Sequence, residues 1–592
     1  MEPIQAEIAA LLDAFSKGRM AEAEQRAAEM TRAHPGVGFG WRALGIILAQ
    51  QGRAREALIP MQRTAAFFPE DAETHNNLGA VLQRLEHFAD AEACFRRAVA
   101  LKPGYAEAYN NLGTALMKQG RLAEAESAFR QAIAYSPGYA EPHNNLGILL
   151  RDMCRIDESV ASFRAALALN PDNAKLHQNL IFTMDFGDFD AAFLQAERKR
   201  WAARFAPAQP RTARFANLPD PERPLRIGYV SADFKFHSSA VVFGAMLTGF
   251  DAGNFAVFAY SNTPVADDVT AIFQNAVTVW RPVVGLSDDA VVDLIEADAI
   301  DILVDLSGHS LGNRLKVFAR RPAPIQITAW GYHTGTGLDA IDVFFSDPVL
   351  IPENEKGLYA ERQVRYLPNA MSVFWPIPLP DVGPLPASSA GVVTFGSFNR
   401  LVKASDQTFA AWARVLGALP HSRFMMKTPE LDEPSARDRV LRRFAEAGIG
   451  PERLILRGKT SWREHMLAFN EVDIALDPFP QSGGVTTLES LAMGVPMVTL
   501  KWPTVSGRAS ASLLTALNMT DWIAATQDEY AEIAVSKARN LQELAAVRLG
   551  LRARMDASVI GRKEAYVATA EREFRALWRA WCAAQQGRET AS

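Results

Sequence analysis

Through the first third of the chain, a leucine–glycine pair returns every 34 residues: Leu44-Gly45, Leu78-Gly79, Leu112-Gly113 and Leu146-Gly147. Ala57, Ala91 and Ala125 keep the same interval, with Ser159 in the last copy, and Pro35, Pro69, Pro103, Pro137 and Pro171 close the units. A beat of this length predicts stacked helix–turn–helix repeats, with small residues where two helices cross and proline ending the second. Five units fit, at 4–37, 38–71, 72–105, 106–139 and 140–173, with a capping helix from about 174. The expectation is an α-solenoid, a TPR superhelix, over 4–185.

The pattern then changes. Residues 186–222, rich in proline and arginine, read as a connector. Short apolar runs follow: "LRIGYVS" (225–231), "FAVFAYS" (255–261), "IDILVDLSG" (300–308), "IQITAWG" (325–331) and "IDVFFSD" (341–347), with helical stretches such as "DDAVVDLIEAD" between several of them. After the proline-rich "WPIPLPDVGPLPASSAG" (375–391), the alternation resumes with "VVTFGSF" (392–398), "RFMMKT" (423–428), "RLILRG" (453–458), "VDIALD" (472–477) and "VPMVTL" (495–500). Strands alternating with helices predict parallel α/β sheets. The reading is a two-lobed fold, with Rossmann-like lobes at 223–380 and 391–560 facing a cleft, then a C-terminal helix and tail at 561–592.

Composition narrows the function classes. The 592 residues carry a net charge of −5 without a long basic block, which argues against broad electrostatic binding of nucleic acid. Three dispersed cysteines suit a reducing compartment, no apolar run reaches membrane-spanning length, and the start "MEPIQAEIAALLDAF" has an acid where a signal peptide would be basic. A cytoplasmic protein, neither in a membrane nor on nucleic acid, is expected.

Ligands of such sheets sit beyond the carboxyl ends of strands, so polar residues there are the candidates. His237 follows the first run, Asp305 and His309 follow "IDILV", and Lys403 with Asn399 follows "VTFGSF". The loop after "DIALD" carries Gly483, Gly484, Val485, Thr486 and Thr487 into a helix. Bare amides at a helix N-terminus, flanked by hydroxyls and a lysine, suit a diphosphate. Imidazoles from the other lobe can hold a hydroxyl or take its proton, and Glu489 can accept from a ribose diol. Stabilising a departing diphosphate in this way describes glycosyl transfer from a nucleotide sugar. In the repeats, Asn77, Asn111, Asn145 and Asn179 also recur at 34, with Asn76, Asn110 and Asn144 before the first three. A carboxamide ladder can pair with the backbone of an extended protein segment; alternatively, it ties neighbouring repeats together.

The repeats, with "RIGYVSADFKFHS", "IDILVDLSGHS", "RPAPIQITAWGYHTGTGL", "VTFGSFNRLVKAS" and "DIALDPFPQSGGVTTLESLAMGVPMVT", resemble the O-GlcNAc transferase/SPINDLY family of protein O-glycosyltransferases, in a bacterial form. The resemblance covers 4–185 and 225–580. It implies a GT-B fold, a cytosolic or nuclear location, and inverting transfer to Ser/Thr hydroxyls. By matching position, His237 takes the place of the active-site histidine, and Lys403 that of the lysine neutralising the leaving diphosphate. The turn 484–487 resembles the phosphate-binding turn, His465 aligns with a histidine near the nucleotide base, and Glu489 sits where an acid contacts the ribose. Gly335, Thr336 and Gly337 resemble the loop lining the sugar pocket, which Asp305 and His309 would join. The expected co-substrate is UDP-GlcNAc, with no metal or other cofactor. "GHS", "FGSFN" and "TTLESLAMGVP" look more like the SPINDLY branch, which keeps GDP-fucose open, and relatives that modify flagellin keep a nonulosonic acid open. A repeat scaffold with an inactive transferase region and a small-molecule transferase are the competing classes.

Overall fold

The computed structural model describes residues 2–207 and 215–589, so part of the stretch read as a connector (208–214) and the end of the tail lie outside the described residues. The chain divides into two compact units, Met1–Pro171 and Asp172–Ser592. In the first unit, helices pair as the 34-residue beat predicts: Glu2–Ser16 with Met20–Ala33, then Gly38–Gln50 with Ala54–Phe67, Ala72–Arg84 with Phe88–Leu101, Ala106–Lys118 with Leu122–Tyr135, and Ala140–Asp152 with Ile156–Leu169. The recurring glycine sits where a large side chain of the paired helix, Met61 at Gly45 and a phenylalanine at the next three, packs close against it. A Cβ at Gly79, Gly113 or Gly147 would come within 3.0 Å of Phe95, Phe129 or Phe163, all fully buried. Ala57, Ala91 and Ala125 are fully buried too, and Ser159 keeps its hydroxyl satisfied by donating to Gly147 O at 2.6 Å.

The asparagines at this interval split into two roles. Asn76 and Asn110 are buried, and they accept across repeats from Asn111 (3.0 Å) and Asn145 (2.9 Å). Asn76 also donates to Glu107. The ladder therefore ties neighbouring repeats, and Asn77, Asn111 and Asn145 remain partly exposed. Asn179 lies on helix Ala174–Met184, in the second unit.

The second unit holds two all-parallel sheets. One contains β1 (Leu225–Ser231), β2 (Phe255–Ser261), β3 (Val279–Pro282), β4 (Ile302–Asp305), β5 (Ile325–Thr328), β6 (Val343–Ser346) and β7 (Gln363–Tyr366), ordered β3-β2-β1-β4-β5-β6-β7. The other contains β8 (Thr394–Ser397), β9 (Arg423–Lys427), β10 (Leu454–Arg457), β11 (Ile474–Leu476), β12 (Met497–Leu500) and β13 (Ile523–Ala524), ordered β10-β9-β8-β11-β12-β13. Each order reverses beside its first strand, at β1/β4 and β8/β11, which opens a crevice at the carboxyl ends. The inner strands are covered on both faces and so read as unbroken apolar runs. β3, β7 and β13 carry no such run; each is a sheet edge.

Two segments depart from the sequence reading. The stretch read as a connector contains helix Ala191–Phe205, which packs on the first sheet through buried Trp201. Its fully buried Arg198 grips Asp185 with two bonds of 2.6 and 2.7 Å. The long helix Lys563–Glu589 does not stand apart from the lobes: it crosses back to the first. Trp330 Nε1 donates to Tyr566 Oη at 2.8 Å, Phe574 stacks on Phe345, and Trp578 Nε1 donates to Asp220 O.

Helix propensity favours alanine over glycine by about 1 kcal/mol, but overpacking a filled contact costs about 1–3 kcal/mol. Gly113→Ala is therefore expected to lower the urea unfolding midpoint. Gly550→Ala, at an exposed helical position with open space around it, is expected to raise it.

Candidate active site

The carboxyl ends of both sheets meet around one cavity of about 780 Å³. From the first lobe it is lined by His237, beyond β1, and by Tyr332 and His333, beyond β5. From the second it is lined by Asn399 and Lys403, beyond β8, and by the turn Gly483–Thr486, beyond β11.

The β11 turn owes its shape to Asp477. This fully buried carboxylate accepts from Gly483 N–H (2.7 Å) and Thr499 Oγ1 (2.7 Å), and burial raises its pKa to about 6. Gly483 is the residue that fits, because a Cβ there would fall 2.4 Å from Thr487 Oγ1 and 2.9 Å from Asp477 Oδ1. Helix Val485–Ala492 starts at once, and among the described residues nothing accepts from the amides of Val485, Thr486 and Thr487. Thr486 Oγ1 donates to Asn399 Oδ1 at 2.7 Å, leaving the buried Asn399 Nδ2 without a partner at the cavity wall.

Lys403 ends a short 3₁₀ turn, Leu401–Lys403, and donates to Ser482 O at 2.8 Å. Burial lowers its ammonium to about 8 against the pull of Asp477. Its remaining protons, the bare amides and the Asn399 amide make this wall donor-rich. That is an arrangement for anionic oxygens.

Across the cavity, His237 caps helix Ser238–Thr248, its Nδ1 accepting from Ser239 N–H at 3.2 Å. Partial burial outweighs Asp233, 3.7 Å away, and holds the imidazole below its usual pKa. A neutral ring whose Nδ1 accepts must carry its proton on Nε2, so His237 presents a donor.

The other predicted residues lie elsewhere. His465 and Glu489 pair with each other at 3.3 Å, beside Phe398 and outside the cavity lining. Asp305 is buried behind the wall, where it accepts from Ser307 and Gly308 amides and from Thr328 Oγ1, and burial lifts it to about 6. His309 is equally buried, its Nε2 bonded to Thr336 O and its ring edge-on to Trp201; burial drops it to about 3. Gly335, Thr336 and Gly337 do not reach the cavity either. They pack against helix Ala191–Phe205 and Glu361: Cβ atoms at the two glycines would strike Tyr359 and the Arg198 carbonyl, and Thr336 donates twice to Glu361.

Sequence reasoning missed Tyr332, His333, Asp233, Lys235 and Arg400, all at the cavity, and also Phe182 and Phe186. Applied to β5, the strand-end rule would have found Tyr332 and His333. Phe182 and Phe186 carry no such signal, since they belong to a segment read as cap and connector. Among the described residues, no cluster of three His, Cys, Asp or Glu side chains is placed to hold a metal, and no helix is long and apolar enough to cross a membrane.

Residues 211–374 and 385–569, more than half of the chain, match glycosyl transferase family 41. The chain belongs to that family. Residues 76–140 and 116–181 of this family 41 chain match tetratricopeptide repeats. It is 37% identical over 397 residues to the probable UDP-N-acetylglucosamine–peptide N-acetylglucosaminyltransferase SPINDLY of Solanum lycopersicum, an alignment covering 66% of this chain and 42% of that one. The Arabidopsis thaliana protein of the same name is 36% identical over 401 residues, covering 66% and 43%. The chain thus spans about two fifths of the length of these curated relatives. A lysine-to-methionine mutant of the Thermobaculum terrenum O-GlcNAc transferase has a related structure, with a TM-score of 0.79 at 32% identity over 88% of this chain and 98% of that one.

The Lys403 ammonium, near 8, sets a pH signature. An anion held by the charged lysine loses that contact as pH rises through this value, so the apparent Kd of pyrophosphate is expected to climb up to tenfold per unit above it. Lys403→Met should bind more weakly at neutral pH and lose the dependence. Calorimetry at pH 7, 8 and 9 checks both.

Proposed function

We propose that this chain is an inverting protein O-glycosyltransferase that moves a sugar from a nucleoside diphosphate sugar to Ser/Thr of proteins engaged by its repeats. The observation that carries the reading is that one cavity is lined by Lys403, by the turn Gly483–Thr486 that opens a helix, and by His237. The acceptor hydroxyl oxygen attacks the anomeric carbon opposite the departing diphosphate: the new C–O bond forms as the bond to the phosphate oxygen breaks, and the configuration inverts. The hydroxyl proton passes to a phosphate oxygen of the leaving diphosphate. The charge developing on the leaving oxygens is met by Lys403 and the turn. The helix terminus contributes roughly 0.3–1 kcal/mol to an exposed charge; a positioned donor in a closed site contributes about 3–4 kcal/mol to the transition state, so the lysine stabilises the leaving group more than the helix does. His237, with Nδ1 occupied by Ser239, acts as a hydrogen-bond donor that orients substrate oxygens.

UDP-GlcNAc is the first donor to try, because the curated relatives carry it in their names; GDP-fucose and a nonulosonic acid donor follow. The partly exposed asparagines of the repeats would pair with the acceptor backbone, using the carboxamide groups left over from their bonds to neighbouring repeats. The reaction is assigned to the cytoplasm, with flagellin among the acceptors to be tested.

Mass spectrometry of an acceptor co-expressed with the enzyme reads the added sugar and the modified residue; an acceptor left unmodified with every donor class counts against the proposal. Lys403→Ala should lower turnover by about a hundredfold or more while acceptor capture by the repeats persists. Replacing Asn77, Asn111 and Asn145 together by Ala should raise KM for the protein acceptor more than for the nucleotide sugar in steady-state kinetics, and the opposite ordering refutes the assignment.

A further inference from the structure

His333 is a cavity residue whose polar atoms the fold leaves unused. Its Nδ1 is shut off from solvent without a hydrogen-bond partner, and the ring makes no hydrogen bond among the described residues, yet the side chain lines the cavity with His237 and Lys403. Its place is firmly built. On one side, Tyr332 Oη donates to Asp185 Oδ2 at 2.5 Å, and Arg198 locks that carboxylate from behind. On the other, Thr334 O accepts from Gln195 Nε2 at 2.8 Å. Gly335 and Gly337, both in the left-handed region (φ +85° and +79°), then let the backbone lie directly on helix Ala191–Phe205. A buried ion pair and two special backbone positions thus clamp the residues flanking one imidazole.

Burial, aided by the Lys403 ammonium, outweighs the opposing Asp347 and Asp185 carboxylates and holds this imidazole below its usual pKa. A neutral imidazole carries one proton. An N–H sealed away without an acceptor bears the full cost of leaving water, whereas an idle lone pair loses less, so the proton belongs on Nε2, the nitrogen left to face the cavity. His333 and Lys403 line the same cavity, so that N–H is available to an anion the lysine holds.

We propose that His333 is a binding residue for the nucleoside diphosphate, donating Nε2–H to a phosphate oxygen that Lys403 also contacts. The inference rests on the functional reading above and adds to the leaving-group cradle a donor from the first lobe.

The test is calorimetric titration of UDP and GDP into the full chain. For whichever nucleotide the wild type binds, His333→Leu is expected to raise Kd at least tenfold, and His333→Gln, which keeps an N–H, less than threefold. In parallel, nitrogen-15 spectra of labelled wild-type protein, assigned by the signal missing in His333→Gln, should show a neutral ring protonated at Nε2 that shifts on adding the nucleotide. Wild-type affinity in a folded His333→Leu overturns the proposal. So does a ring that is charged, protonated at Nδ1, or unmoved by saturating nucleotide, a result that stands even where His333→Leu fails to fold. A wild-type protein that binds neither nucleotide instead overturns the functional reading, and this inference with it.

Discussion

A single carboxylate buried where β11 gives way to its turn holds the second lobe's half of the site. Asp477 commits its oxygens to Gly483 N–H and Thr499 Oγ1. It thereby fixes where the chain reverses into helix Val485–Ala492, where the amides of that helix point, and where Ser482 O waits for Lys403. An unpaired charge at this depth would be very unfavourable. Here it is met by three kinds of partner, an amide, a hydroxyl and the field of an ammonium group. The mutual influence is visible in both residues: burial moves Asp477 up and Lys403 down, and each partly opposes the shift of the other. A lysine close to losing its proton becomes a strong donor once anionic oxygen arrives beside it.

The first lobe answers with a different device. Its loops hold neutral imidazoles against fixed backbone: His237 through the amide of Ser239, and His333 through a strap clamped to helix Ala191–Phe205. One wall supplies charge and the other supplies oriented neutral donors. Two sheets of the same strand order, opposed at their switch points, bring the two sets together in one cavity without any strand passing between them.

The legible parts of the molecule were those where burial imposes a pattern. The 34-residue beat located the repeat helices because the recurring glycine must yield to a methionine or phenylalanine of the paired helix, and inner strands announced themselves because both faces are covered. Three of the four edge strands, β3, β7 and β13, escaped notice for the same reason, since a half-covered edge needs no apolar run, whereas the edge strand β10 was legible as "RLILRG". In the site, Lys403 and the glycine turn could be read from the strand ends they follow. Asp305, His309 and Gly335–Gly337 follow strand ends too, yet their polar groups are consumed by the backbone and by helix Ala191–Phe205. Proximity to a strand terminus selects a neighbourhood, and the direction of the side chain is decided by partners that lie far away in sequence. That helix was itself illegible, because its buried arginine and its polar residues mask an inward face.

The return of helix Lys563–Glu589 to the first lobe has a bearing on how the protein is made. The aromatic surface formed by Trp330 and Phe345 stays uncovered from the moment β7 emerges until the whole second lobe has been synthesised, since Tyr566 and Phe574 arrive only afterwards. During translation the N-terminal lobe is therefore a sticky half-product, and its completion is a late event that closes the architecture like a clasp. Severing the chain between the lobes would yield two fragments, neither of which contains all the parts of the first.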